Sequence, residues 1–297
     1  MPRIKLAMAA LAAFTLTLSA CSTATASSDN PPGYIATDLS NIQKDPKVAA
    51  LVPEHVSKDG ILTVGDNIFY APAEFYALDG KTPQGYDIDL ANALAKVMGL
   101  KADIQNADFD QIIPGIGTKY EIGIAAFTVT PERLKQVDMI QYVAAGSAWT
   151  VQAGNPSNFD PSHICGRRVG VLTGTVEDDT IKAEAKKCDD NPVQLQEFSS
   201  ENQVAVAVNA GQLDAMLTDS VVGAYAVKET GGELEQVGDI TTYAGSGIAL
   251  TKDDRQLSEA VAAALQTLID NGDLDRIFAT WGVTQGVATE ATILPEK

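Results

Sequence analysis

Two side chains in this 297-residue chain carry opposite charges at places suited to recognising a small molecule: Arg133 and Asp219. Arg133 follows Phe127-Thr128-Val129-Thr130-Pro131-Glu132, directly after the apolar run Ile122–Ala126. Its planar guanidinium matches a carboxylate through two parallel hydrogen bonds. Asp219 closes the expected strand Leu213–Asp219, and a carboxylate at a strand end suits an ammonium group. Together the two are the complement of a zwitterion. Each also has a plainer reading. Thr130, Pro131 and Glu132 fit the N-cap and first turn of a helix, which would leave Arg133 solvated. Asp219 can equally cap a helix over Ser220–Thr230.

Two more stretches could carry binding chemistry. Asn67–Phe75 crowds Phe69, Tyr70 and Phe75 into a loop, which suggests an apolar wall for a ligand. Thr173-Gly174-Thr175 turns a strand into a helix and can expose backbone N–H donors at its N-terminus. The same residues can serve simply as caps.

The elements that must hold these groups alternate strand and helix. Strands are expected at Gly60–Asp66, Ile122–Ala126, Arg168–Leu172, Val193–Phe198 and Leu213–Asp219. Between Gly85 and Gly99, Ile88, Ala91, Leu94, Ala95 and Met98 form one helical stripe that Gly99 terminates, with Asp87 able to cap. Helices follow over Glu177–Lys187, from Ser200 to Gly211, over Ser258–Asn271 and over Asp275–Trp281. This alternation is the mark of an α/β fold, in which ligands sit beyond the carboxyl ends of strands.

The N-terminus carries Arg3 and Lys5, then the apolar run Leu6–Leu18, which is the length of a signal-peptide core and too short to span a bilayer. Leu18-Ser19-Ala20-Cys21 resembles a bacterial lipobox, which would make Cys21 a lipidated mature N-terminus; an ordinary signal peptide with an incidental cysteine is the alternative. A flexible Ser/Thr/Ala/Pro-rich tether is expected over 21–55. Without Arg3 and Lys5 the chain holds 19 basic residues against 39 acidic ones, a formal charge of −20. That excess argues against nucleic acid as a partner. With Cys21 lipidated, Cys165 and Cys188 remain as a pair in an oxidising compartment and favour a disulfide over two buried thiols. His55 and His163 have no cluster of ligands around them, so neither a metal nor a cofactor is expected.

Gly85-Tyr86-Asp87-Ile88-Asp89-Leu90-Ala91, then Asp110–Ile116, then Thr128–Arg133, resemble in order three landmarks of the family 3 extracellular solute-binding proteins, the amino-acid-binding components of bacterial ABC importers. The likeness runs from about Gly60 to Gly282. It implies a two-lobed periplasmic-binding-protein type II fold with two hinge crossings, at Ala144–Val151 and Ala244–Leu250, and a ligand held in the interlobe cleft. The implied organisation is a signal peptide over 1–20, the lipidated tether over 21–55, lobe 1 over 56–147, lobe 2 over 148–246, a return to lobe 1 over 247–285 and a tail over 286–297. It implies that Arg133 takes the α-carboxylate of a free amino acid and Thr128 adds its hydroxyl. The backbone of Ala126 would face the α-amino group, Tyr70 would stack on the ligand's side chain, and Gly174, Thr175 and Val176 would donate from the other lobe. Asp219 is then favoured as the ammonium partner. The loop departs from the family's aromatic-Pro-Pro-Phe form at Tyr70-Ala71-Pro72-Ala73-Glu74-Phe75, so Tyr70 can be placed but Glu74 and Phe75 cannot. Glu74 stays open between selecting a polar or cationic ligand side chain and being a solvated loop charge. The expected protein is a lipid-anchored monomer, not an enzyme, that delivers its ligand to a permease and ATPase. A dehydratase on the same scaffold and a sensor for a signalling partner are the rival readings.

Overall fold

The computed structural model describes residue 31 and residues 33–295. The export segment and Cys21 lie outside those residues. From the N-terminal side, the short helices α1 (Pro46–Ala49) and α2 (Glu54–Ser57) lead into β1 (Ile61–Asp66). A small ribbon, β2 (Phe75–Tyr76) and β3 (Pro83–Gln84), precedes α3 (Tyr86–Met98) and β4 (Lys101–Asn106). Helix α4 (Phe109–Gly115), β5 (Ile122–Gly123) and α5 (Pro131–Gln136) then deliver the chain to β6 (Val137–Gln152). Next come β7 (Arg168–Leu172), α6 (Val176–Ala185), β8 (Gln194–Phe198), α7 (Glu201–Asn209), β9 (Ala215–Asp219), α8 (Ser220–Glu229) and β10 (Leu234–Thr251). Helices α9 (Arg255–Asp270) and α10 (Asp273–Thr280) and strand β11 (Ile293–Leu294) complete the chain.

The strands follow the order β4-β1-β5-β10-β6-β9-β7-β8, with β11 also on β6. Strands β6 and β10 are the two crossings. They pair antiparallel over their whole length, so a single ladder runs through both lobes. At one end β10 pairs with β5 through Leu250↔Ile122; at the other, β6 pairs with β9 through Ser147↔Asp219. The register slips between Val237 and Thr241, between Thr241 and Ala244, and between Ser246 and Gly247. Such bulges bend a ladder, and here they fall where it passes from one lobe to the other. The remaining strand pairs, β1–β4, β1–β5, β7–β8 and β7–β9, are parallel, as expected when each strand returns through a helix.

Helix α3 is buried on nearly every face rather than on one stripe. The sheet covers one side, and α9, α10 and the N-terminal segment cover the other. Asp89 ties these layers together, accepting from the Thr37 amide and hydroxyl at 2.8 Å each and from Trp281 Nε1 at 2.9 Å. Gly85, at φ +136°, opens the helix because a Cβ there would overlap the Ala73 carbonyl oxygen. Asp87 is therefore not the cap; its carboxylate turns inward instead. The expected tether also ends sooner than residue 55. Thr37, Ile42, Val48 and Val52 are buried, because this segment supplies the apolar cover that the outer face of α3 requires. The weakly patterned tail is likewise held, by the β11–β6 pairing and by the Ala288 amide donating to the Tyr142 carbonyl. Cys165 and Cys188 form a disulfide across a separation of 23 residues, pinning the unit of β7 and α6. No helix among the described residues is long and apolar enough to cross a membrane.

Candidate functional site

The site begins with a backbone irregularity. Strand β5 holds only Ile122 and Gly123, and the chain then leaves the sheet. Ala126 adopts φ +47°, a left-handed conformation rare for a residue with a side chain. Asp87 holds it there: Oδ2 accepts from the Ala126 amide and from the Tyr142 hydroxyl, each at 2.8 Å. The following residues are sewn to the crossing strand. The Val129 amide donates to the Gly245 carbonyl at 2.7 Å, and the Gly247 amide donates to the Phe127 carbonyl at 2.8 Å. The loop that leaves β5 and the crossing strand β10 thus share hydrogen bonds.

Thr130 caps α5 as expected, its hydroxyl accepting from the Arg133 amide. The guanidinium of Arg133 folds back toward the lobe boundary. Nη1 donates to the Thr128 carbonyl at 2.8 Å, and Nη2 donates across the boundary to the Gly174 carbonyl at 3.3 Å. The Phe109 and Phe127 rings lie 5.3 and 5.6 Å from its centre, a cation–π geometry. Burial pulls its pKa down, while Glu177, Asp179 and Asp219 pull it up.

From lobe 2, Asp219 reaches the same place at the end of β9. Its Oδ2 accepts from the Tyr70 phenol at 3.1 Å, and that phenol also lies 3.2 Å from Thr218 Oγ1. Burial, reinforced by the neighbouring Glu177 carboxylate, pushes Asp219 up to about 8. The N-cap role is not taken up, since no side-chain capping bond forms on α8. Tyr70, Ala126, Thr128, Arg133, Thr175 and Asp219 therefore line one enclosed cavity. The lobes meet closely around it, leaving about 10 Å³ of free volume, room for one water-sized sphere.

Four residues named from the sequence stand elsewhere. Glu74 is fully buried behind the aromatic loop, beside Asp66 and Asp87, so it is neither a solvated loop charge nor part of the cavity lining. Phe75 packs edge-on against Trp281 at 5.7 Å and lines an outer groove rather than the cavity. Val176 opens α6 without reaching the cavity lining. Gly174 presents its carbonyl to Arg133, and its amide already donates to Asp178 Oδ2 at 3.0 Å, so that donor is spent locally. Thr175 does cap α6, its hydroxyl accepting from the Asp178 amide.

Phe109, Leu172 and Glu177 also line the cavity and were not singled out in the sequence. Phe109 precedes the motif Asp110–Ile116, and Leu172 is the last residue of an expected strand; an apolar side chain at either place carries no binding signal of its own. Glu177 read as the first acid of a helix, a placement common for reasons of the helix dipole alone. In the fold its Oε1 accepts from Ser147 Oγ at 2.6 Å, on the crossing strand β6.

A two-lobed α/β scaffold, crossed by two paired strands and holding one cationic and two acidic side chains around a buried cavity, defines a ligand-binding protein of the periplasmic type. Residues 62–284 match the family model of bacterial extracellular solute-binding proteins, family 3, and the chain belongs to that family. It is 35% identical over 291 residues to the arginine-binding protein ArgT of Corynebacterium glutamicum, covering 95% of this chain and 93% of that one. Among solved structures it resembles an ancestral arginine-binding protein bound to arginine, with 34% identity, a TM-score of 0.70, and coverage of 75% of this chain and 98% of that one. It also resembles the ancestral amino acid-binding protein AncCDT-1, a precursor of cyclohexadienyl dehydratase, with 31% identity, a TM-score of 0.69, and coverage of 78% and 99%.

Proposed function

We propose that the chain is the extracytoplasmic amino-acid receptor of an ABC importer, anchored through a lipid on Cys21, and that it binds a free amino acid with a polar side chain. One observation carries this reading: Arg133 and Asp219 come from different lobes and line the same cavity. Arg133 takes the α-carboxylate and Asp219 the α-ammonium, so both are satisfied by one molecule only when the lobes are together. Thr128 supplies its hydroxyl beside the carboxylate, the backbone of Thr175 approaches it from the other lobe, the backbone at Ala126 faces the ammonium, and Tyr70 covers the side chain. A ligand that makes more contacts in the closed form shifts the open–closed equilibrium by that difference alone. The closed pair of lobes is then what a permease and its ATPase recognise, with the receptor acting as a monomer. The similar proteins are named as binding proteins, two of them for arginine, which makes arginine the first ligand to try.

A thermal-shift screen of the common free amino acids tests the reading. At least one should raise the unfolding temperature in a concentration-dependent way. The likeness to a dehydratase precursor, together with Glu177 in the cavity, gives the enzyme reading a definite test. Turnover of a prephenate-like substrate that is lost in Glu177→Gln would replace the receptor reading.

A further inference from the structure

Apart from the cavity, a groove of about 650 Å³ is lined by the aromatic loop of lobe 1 and by helices α7 and α8 of lobe 2. Its walls are mainly apolar, with Phe75, Met216, Val222 and Tyr225 among them, and the Phe75 and Tyr225 rings stand 5.7 Å apart. One group in it does not belong to an apolar slot. Glu201, in the first turn of α7, is only 2% exposed, and neither of its carboxylate oxygens makes a well-formed hydrogen bond, the Thr218 hydroxyl being the neighbour that favours its ionised form. A buried carboxyl left without a partner costs stability, so its presence asks for a partner.

The charges around it point the same way. Glu177, Glu201 and Asp219 all act on the Tyr70 phenol, while Arg133 is the one cation lining the cavity. A zwitterion held by Arg133 and Asp219 adds no net charge, so the acids still outnumber the cations. Tyr70 lines the cavity and Glu201 lines the groove; Thr218 links them, its hydroxyl 3.2 Å from the Tyr70 phenol and neighbouring the Glu201 carboxyl, while the phenol donates to Asp219. An ammonium group on Asp219 competes for that carboxylate and frees the Tyr70 phenol. The side chain of the same ligand can then pass toward Glu201.

Taking the receptor reading above as its basis, we infer that Glu201 receives the cationic end of the ligand's side chain, with the aromatic walls of the groove enclosing its apolar stem. The ligand class is therefore an amino acid whose aliphatic side chain ends in a guanidinium or ammonium group.

The test compares arginine with citrulline, its neutral near-isostere, by calorimetry on the wild type and on Glu201→Gln. The wild type should prefer arginine. Glu201→Gln should weaken arginine by about 10- to 100-fold and leave citrulline within about 3-fold, the range for losing a charged hydrogen-bond partner. An equal loss for both ligands, or no loss for arginine, overturns the inference. A wild type that binds a neutral amino acid but not arginine overturns it while leaving the receptor reading intact; a wild type that binds no amino acid overturns both. A second measurement needs no variant. Titrating wild type at pH 7 in two buffers of unlike ionisation enthalpy should show more protons released by arginine than by citrulline, because Glu201 must ionise to meet the cation. Asp219 and Glu177 face the backbone end of the ligand and respond to both ligands alike; of the charged groups on α8, Glu229 lines the groove at its exposed side and Lys228 lies over the Tyr225 ring. Equal release overturns the assignment.

Discussion

The carboxylate of Asp87 accepts the amide of Ala126 at 2.8 Å, and Ala126 stands at φ +47°. A residue read as a helix cap thus holds the backbone that lines the ligand cavity. A left-handed alanine costs about 1 kcal/mol relative to glycine. Ala126→Gly should therefore stabilise the chain by up to about 1 kcal/mol in urea unfolding. Asp87→Ala should cost about 1–3 kcal/mol, because two buried donors lose their acceptor. It should also weaken ligand binding, which calorimetry on the folded variant would register. Unchanged affinity in Asp87→Ala would remove Asp87 from the support of the site.

Stability should fall as pH rises, the reverse of a protein held by salt-bridged carboxylates. Asp66, Glu74 and Asp87 lie buried together, and burial with mutual repulsion raises Asp66 and Glu74 well above the carboxylate range. Burial moves Asp87 from an ordinary 3.8 to about 7, and Asp219 and Glu201 to about 8. Between the ordinary carboxylate range and these values the folded chain holds more protons than the unfolded chain. Linkage then makes stability greatest below that window and erodes it as pH climbs through 7 to 8. Scanning calorimetry at pH 5, 6, 7 and 8 should give a descending series of unfolding temperatures. Glu74→Gln should flatten it.

Tyr70 joins the lobes through its phenol, which also accepts the Asp219 amide at 3.3 Å. Tyr70→Phe removes those bonds and keeps the ring. Small-angle scattering without added ligand should show a larger radius of gyration for this variant than for the wild type. Saturating ligand should bring the two together. Identical curves without ligand would mean that the phenol does not bias closure.

The Cys165–Cys188 bridge closes a loop of 23 residues that carries β7 and α6. Replacing both cysteines with serine should cost about 3 kcal/mol in the loop-entropy account. Urea unfolding of the double variant measures it. Mass spectrometry of the wild type should find no free thiol at either position.

Much of this was legible before any coordinates. Apolar periodicity located most of the strands and helices, and Thr130-Pro131 announced α5 by its capping chemistry. The order of motifs named the family. What stayed hidden depended on long-range packing. Glu74 sits in a loop by sequence, yet the fold buries it against Asp66 and Asp87, and no local pattern reports a neighbour made by tertiary folding. Gly174 looked like a free N–H donor until Asp178, four residues on, took its amide. Glu201 resembled any acid in a helix's first turn; only the fold, which sets α7 against β6, β7, β8 and β9 and leaves that carboxyl 2% exposed, makes it unusual. The N-terminal segment from Thr37 was read as linker because composition cannot show that α3 needs cover.

The central claim is that one amino acid bridges the Arg133 guanidinium and the Asp219 carboxylate across the lobe boundary. Calorimetric titration of arginine into the wild type and into Arg133→Ala, both checked for native circular dichroism, tests it most directly. The account predicts saturable binding to the wild type and none measurable in the variant. Equal affinity in the two would contradict it.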